Sequence, residues 1–372
     1  MGRACRQGVY LWAGEKLDVL LLWVLLQNNN TSQRRVSKKN GRMQIKLKFI
    51  CLLGLATIIL ITMILRKTPR ITPSSTPSST PSPSGEPRWE EPGPYHVAYP
   101  RNYKFIMDDT PTCRTRSPFL LMMVSVSPSD VAARDAIRKT WGSETVVQGQ
   151  VVGTLFLVGR PGGADADQQQ EKLSQENHQH HDLIQSDFLD SYRNLTIKTM
   201  VMLEWLAAHC TNAAYVLKID SVMLVHVPNL VKLLLDPGTA EQNYMTGLVR
   251  WHSPVMRDPS NKFYLPTDII AVPEYPPFPL GRGYVMSLDL PGKILQVSTQ
   301  IKPIFIEDAY LGMCLKLLGI SPTDPPENTM FIVDPVHPLS TCTLSKVIAV
   351  TTTSIPQMTG YWETSRGPDA EC

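Results

Sequence analysis

Cysteine pairs at metal-ligand spacing are missing from this chain, which discards a structural zinc site. No internal repeat is present either, which sets aside a repeat architecture. A strong surplus of one charge is also missing. Lys and Arg number 36 against 33 Asp and Glu, a formal net charge of +3, and the N-terminal segment supplies much of it. A nucleic-acid binder would carry its positive charge on the folded part, so that class is excluded. Most locally, charge is absent from Phe49 to Leu65 (FICLLGLATIILITMIL).

Around that run the charges are lopsided. Arg34, Arg35, Lys38, Lys39, Arg42, Lys46 and Lys48 crowd its upstream side. Its seventeen residues, at a rise of about 1.5 Å each, reach about 25 Å, close to an early secretory bilayer of about 27 Å. The upstream Lys/Arg excess keeps the N-terminus in the cytosol. A cleaved signal peptide would leave through small residues, whereas this run leaves through Met63-Ile64-Leu65 into Arg66-Lys67. The pattern predicts a transmembrane signal-anchor at 49–65, single-pass and type II, behind a cytosolic basic tail at 1–48. Met43 stands just before the span, and residues 1–42 read as an extraneous extension.

Beyond the anchor, Thr68 to Pro94 is dense in Pro, Ser and Thr, has little to bury, and reads as an extended, O-glycosylated stalk. The stem is assigned to 66–100, a lumenal domain to 101–355 and a C-terminal tail to 356–372. Asn194-Leu195-Thr196 is the one N-glycosylation sequon on the lumenal side. Five of the seven cysteines, Cys113, Cys210, Cys314, Cys342 and Cys372, lie beyond the span. In an oxidising lumen they are disulfide candidates, and an odd count leaves at least one without a partner in the chain.

Within the lumenal domain, apolar runs alternate with helical patterns. Phe119–Val126 reads as a buried strand, and Val131–Trp141 as a helix entered from Ser129 or Asp130. Val151–Val158 is a strand that turns at Gly159, and Ala166–His178 is polar and helix-prone. Leu195–His209 has amphipathic spacing, Tyr215–Ile219 is a short strand, and Val227–Leu235 a helix. This alternation predicts a mostly parallel α/β sheet, with ligands gathered beyond the carboxyl ends of its strands.

Three places there have the residue types for chemistry. Asp220, with Ser221, ends a buried strand, where a carboxylate faces the crevice and suits a divalent cation; a turn-capping Asp is the plainer alternative. Tyr275 to Tyr284 (YPPFPLGRGY) reads as a loop leading into a short strand, with Gly281 and Gly283 able to bring backbone close to a ligand or merely to turn. Glu307 and Asp308 open a helix, as caps that favour its dipole or as a general base under a cleft. His178, His180 and His181 sit in a polar Gln/Glu-rich stretch and read as solvated rather than metal-binding.

In order along the chain, YKFIMDDTPTC (103–113), RDAIRKTWG (134–142), FLVG (156–159), ENHQHHDLIQSDFLDSYRNLTIKT (176–199), KIDSVMLVHVPNL (218–230), YPPFPLGRGYVMS (275–287) and IEDAYLGMCLKLLGI (306–320) resemble the β1,3-galactosyltransferase family. The resemblance implies a GT-A-type nucleotide-sugar fold in the Golgi membrane and an inverting transfer of galactose from UDP-galactose, assisted by Mn²⁺. The implied acceptor is the 3-hydroxyl of a terminal N-acetylhexosamine on a glycoprotein or glycolipid. A related N-acetylglucosaminyl transfer, or a partner-binding pseudoenzyme, is the alternative, and homo- or hetero-oligomers are left open. On this resemblance Asp308 is the base, with Glu307 second. Asp220 belongs to the metal and nucleotide motif, and Arg134, Arg138 and Trp141 to a nucleotide-side helix. Gly281 and Gly283 lie near donor and acceptor, and Asn194 carries a family sequon. This chain departs from the pattern at Val222, where an acid is expected, at Leu224 and His226, and at Pro279-Leu280 where Cys-Ser is usual. The last departure leaves Cys314 free.

Overall fold

The computed structural model describes residues 92–108 and 110–367. The signal-anchor at 49–65, the basic tail and residues 66–91 of the stem lie outside them. Among the described residues no helix is long and apolar enough to cross a membrane.

The chain runs β1 (Phe105–Met107), α1 (Thr112–Thr115), β2 (Leu120–Ser125), α2 (Val131–Lys139), β3 (Val146–Val147), β4 (Gln150–Arg160), α3 (Ala166–His180), β5 (Leu183–Leu189), α4 (Leu195–His209) and β6 (Tyr215–Asp220). It continues through β7 (Met223–Val225), α5 (Val227–Leu234), β8 (Met245–Arg250), β9 (Phe278–Ser287), α6 (Leu290–Ser298), α7 (Glu307–Leu318), β10 (Phe331–Ile332), α8 (Thr341–Lys346), β11 (Ala349–Thr351) and α9 (Ile355–Ser365). The main sheet has the order β1-β5-β4-β2-β6-β9-β8, with β3 paired to β4. Its centre, β5-β4-β2-β6, is parallel, while β1, β9 and β8 join antiparallel. The sheet is therefore mixed rather than mostly parallel. A second sheet, β10-β11-β7, has three strands.

The central strands are buried on both faces, so they read as apolar runs with no polar alternation. Leu121, Met123, Leu155 and Leu157 face a core completed by α4, α6 and α7. Their neighbours Leu120, Met122, Val124 and Phe156 face the opposite core, against α2 and α5. Period-two alternation thus divides two apolar layers rather than an apolar and a wet one. Helix α4 departs from its amphipathic reading. Ten of its residues, from Thr196 to Leu206, are buried, because it is covered by the sheet on one side and by α6 and α7 on the other.

Several boundaries also move. The helix read to Trp141 stops at Lys139 and passes into a 3-10 turn over Trp141–Ser143, with Asp130 capping Ala133 N at 3.1 Å. Strand β4 runs through Gly159 to Arg160, where a turn was expected. The segment 278–284, read as a loop, is the first part of β9. Pairing with β6 and β8 claims its backbone, and Pro279, which cannot donate, lies beyond a register irregularity opposite β8. At the domain edges, Val97 and Tyr99 are buried although they fall in the assigned stem. The assigned tail begins inside α9, whose Met358 is buried. Cys113 and Cys210 form a disulfide across 97 residues, and Cys314 is buried and free.

Candidate active site

The carboxyl ends of the parallel strands are tied together from beneath by a lysine that sequence reasoning did not single out. Lys198 of α4 donates to Val126 O at 2.7 Å and to Asp190 Oδ2 at 2.7 Å; Asp190 Oδ2 also accepts Gly159 N at 2.8 Å. Burial pulls the Lys198 pKa down, and Asp190 is the carboxylate that offsets this. One ion pair thereby fixes where β2, β4 and β5 end. Its only signal in the sequence is a lysine amid Thr, Ile and Met.

Next to it, Lys218 of β6 donates to Asp220 Oδ1 at 2.9 Å and to the carbonyl of Gly281. Burial works against the Lys218 charge, but Asp220, Glu307 and Asp308 more than compensate and raise its pKa. This ammonium draws together the end of β6, the glycine segment of β9 and the acids that open α7. Gly281 lets the strand pack closely there, since a Cβ would stand 2.6 Å from Glu307 Oε2 and the carboxylate would have to shift. At Gly283 a Cβ would stand 2.4 Å from Ile219 Cδ1.

The two acids are not equivalent. Glu307 is buried, its Oε1 accepting from Tyr284 at 2.8 Å and Thr199 at 2.9 Å, and burial raises its pKa to about 6. Asp308 is half-buried and accepts Gly281 N on Oδ2 at 3.0 Å and Ala309 N on Oδ1 at 2.9 Å. Burial raises its pKa against those two amides. Asp308, and not Glu307, lines a cavity of about 400 Å³ with Arg250, Trp251, Phe263, Tyr275 and Leu280. Trp251 and Phe263 are exposed apolar faces there. The Tyr275 hydroxyl is buried with no hydrogen-bond partner. A larger groove of about 690 Å³, lined by Phe119, Tyr215 and Asp236, lies at the other end of the strands and holds none of these acids.

The remaining predicted residues divide. Arg134 is fully buried: Nε and Nη2 each donate to Glu176 at 2.7 Å, and it also holds the carbonyls of Ser127 and Pro128. Arg138 pairs with Asp182, Glu176 and Asp135. Trp141 is wholly buried. The structure gives these three no open contact with a nucleotide; Arg134 shapes the loop after β2 instead. Asn194 donates its amide to Leu189 O at 2.8 Å, and Thr196 is buried on Ile304 O.

The donor set at Asp220 does not fit a hard divalent cation, which asks for several oxygen ligands. One Asp220 oxygen is held by Lys218. Val222 projects an exposed side chain that has no ligand atom. His226 lies beyond β7, its ring nitrogen accepting Asn229 N as a helix cap. Among the described residues, no three His, Cys, Asp or Glu side chains gather as a metal site.

A mixed α/β sheet with a paired-acid helix terminus below an open cavity defines the class: an α/β crevice protein with one carboxylate, Asp308, on the cavity wall. A family model described as Galactosyltransferase matches residues 132–326. β1,3-galactosyltransferase 2 of Pongo abelii is 38% identical over 72% of this chain and 63% of its own length. The Homo sapiens protein of that name is 37% identical over the same shares. β1,3-galactosyltransferase 1 of Mus musculus is 39% identical over 60% of this chain and 68% of its own. The chain belongs to the β1,3-galactosyltransferase family, and its match spans a little under two thirds of the type 2 relatives. Two solved glycosyltransferases, the bifunctional WbbM and one involved in glycosylating the major capsid of PBCV-1, align over 68% and 66% of this chain, at 10% and 9% identity. They cover 50% and 100% of those chains, and both TM-scores are 0.37, too low to add weight.

Proposed function

We propose that this chain is an inverting β1,3-galactosyltransferase of GT-A type that moves galactose from UDP-galactose to the 3-hydroxyl of a terminal N-acetylhexosamine on a glycoprotein or glycolipid. The observation that carries the reading is the placement of Asp308 alone of the two acids on the cavity wall. The acceptor sugar occupies that cavity, its apolar face on Trp251 or Phe263. Asp308, held by Gly281 N and Ala309 N, takes the acceptor proton as the oxygen attacks the anomeric carbon. The bond from that carbon to the diphosphate breaks, and its electron pair leaves on UDP. Glu307 stays out of the reaction, bracing Tyr284 and Thr199 beneath the glycine segment. The manganese expected from the family is given no step, because the residues around Asp220 do not suit it. The basic tail and the uncharged run at 49–65 support a type II placement in the Golgi membrane, with this domain in the lumen.

Asp308→Asn is expected to lower kcat by at least about 100-fold, the usual range of a lost general base, while UDP binding is kept. Turnover of UDP-galactose on an array of N-acetylglucosamine and N-acetylgalactosamine acceptors is the measurement. Wild-type rates in the variant would remove Asp308 as the base. Retained UDP-galactose binding with no turnover on any acceptor would leave a binding protein in place of an enzyme.

A further inference from the structure

A diphosphate leaving group gathers negative charge as its bond to the sugar breaks, and a cation must meet that charge. With the Asp220 motif unsuited to a divalent ion, the cation has to be a side chain. Arg250 lines the acceptor cavity itself, and the other basic residues around the crevice are mostly committed. Lys218 and Lys198 are buried in the bonds described above, and Arg134 and Arg138 are spent on Glu176 and Asp182. Arg193 lies over the Phe305 ring at 4.1 Å.

Arg282 is different. It sits between the two site glycines, one residue before Gly283, whose partner Ile219 immediately precedes Asp220. Burial raises the Tyr192 pKa, with Asp308 adding to the rise and Arg282 opposing it. The side chain is 39% exposed, and its nearest carboxylate, Asp334 Oδ1, is 3.9 Å away and itself 67% exposed. An exposed pair at that distance contributes little and yields to a stronger anion.

We propose that Arg282 is the phosphate-binding cation of the donor site, standing in for the divalent ion that Val222 denies it. A guanidinium fork matches two phosphate oxygens at once, which an ammonium does not. As the acceptor oxygen bonds to the anomeric carbon and the bond to the diphosphate breaks, the electron pair comes to rest on a phosphate oxygen held by Arg282, and the acceptor proton goes to Asp308. This rests on the sugar-transfer reading above and adds that nucleotide binding needs no metal.

UDP titrated into the full chain in detergent, in EDTA and then in Mn²⁺, tests it by calorimetry. UDP should bind in EDTA, and Mn²⁺ should change its Kd little. Arg282→Gln should weaken UDP by about tenfold or more, the scale of a lost charge-assisted contact, and Arg282→Lys should recover part of the loss. Adding Val222→Asp to Arg282→Gln should make binding depend on Mn²⁺, with a bound Mn²⁺ signal by electron paramagnetic resonance. Wild-type binding that vanishes in EDTA, together with an unchanged Kd in Arg282→Gln, would overturn the proposal and leave the transfer reading standing. No UDP binding by wild type in either buffer would overturn both.

Discussion

Glu307 and Asp308 are neighbours in sequence and differ in kind. One carboxylate is enclosed by hydroxyls and the other opens on a cavity, and helix geometry makes the difference, since successive residues point about 100° apart. Sequence reasoning located the pair and favoured Asp308 by resemblance; what encloses Glu307 are the Tyr284 and Thr199 hydroxyls, which come from elements distant in the chain. Burial has a consequence for Glu307. Its folded pKa of about 6 lies above the ordinary glutamate value of 4.5, so the folded chain holds this proton more tightly than the unfolded one. The stability it contributes is full below about pH 4.5 and is lost as pH rises through about 6, on the order of 2 kcal/mol. Glu307→Gln removes the titration. The Tm difference, wild type minus variant, measured from about pH 4 to about pH 7.5, should fall across that window. A flat difference would mean that Glu307 is not held as a neutral acid.

Element β9 shows where local sequence is least informative. Three prolines and two glycines in ten residues from Tyr275 to Tyr284 read as loop because each residue type disfavours a strand. The strand exists because β6 and β8 were waiting on either side with open backbone groups, and no window of ten residues contains that fact. The parallel strands β2, β4 and β6 and the helices α2, α5 and α7 were legible, because caps and continuous apolar runs are local signals; β5, broken by Gln185, Ser186 and Asp187, was not read. Close packing of β9 on the acids predicts that Gly281→Ala is costly beyond its size. The new methyl must displace Glu307 Oε2 at 2.6 Å or crowd Asp308 Oδ2 at 3.4 Å, and overpacking of this kind costs about 1–3 kcal/mol. Gly292→Ala is the control, since its added Cβ in the first turn of α6 meets nothing within 4 Å, and alanine has the higher helix propensity. Chemical denaturation of both variants decides. Equal midpoints for the two would show that β9 is free to move away from α7.

At the scale of the whole molecule, layering was legible but closure was not. Strand–helix alternation implied an α/β sheet flanked by helices; the antiparallel additions β1, β9 and β8 depend on pairings far apart in the chain, as does the choice among five cysteines. One such pair among the described residues is Cys113 with Cys210, which staples α1, ahead of the first central strand, to the end of α4. The helix it clamps carries Lys198 and Thr199, so the staple and the floor of the active site share one element. A bond that closes a loop of 97 residues restricts the unfolded chain strongly, by about 4–5 kcal/mol in the loop-entropy account. The double variant Cys113→Ser, Cys210→Ser should therefore unfold at a much lower urea midpoint than wild type. Its folded fraction should nonetheless bind UDP with unchanged affinity, because Cys210 lies beyond the C-terminal end of α4 and Lys198 in its first turns. Urea melts of the two proteins, with UDP titrations at low urea, separate these expectations. An unchanged midpoint would deny the staple its role, and weakened UDP binding by fully folded double variant would mean that the cross-link also sets the geometry of the crevice.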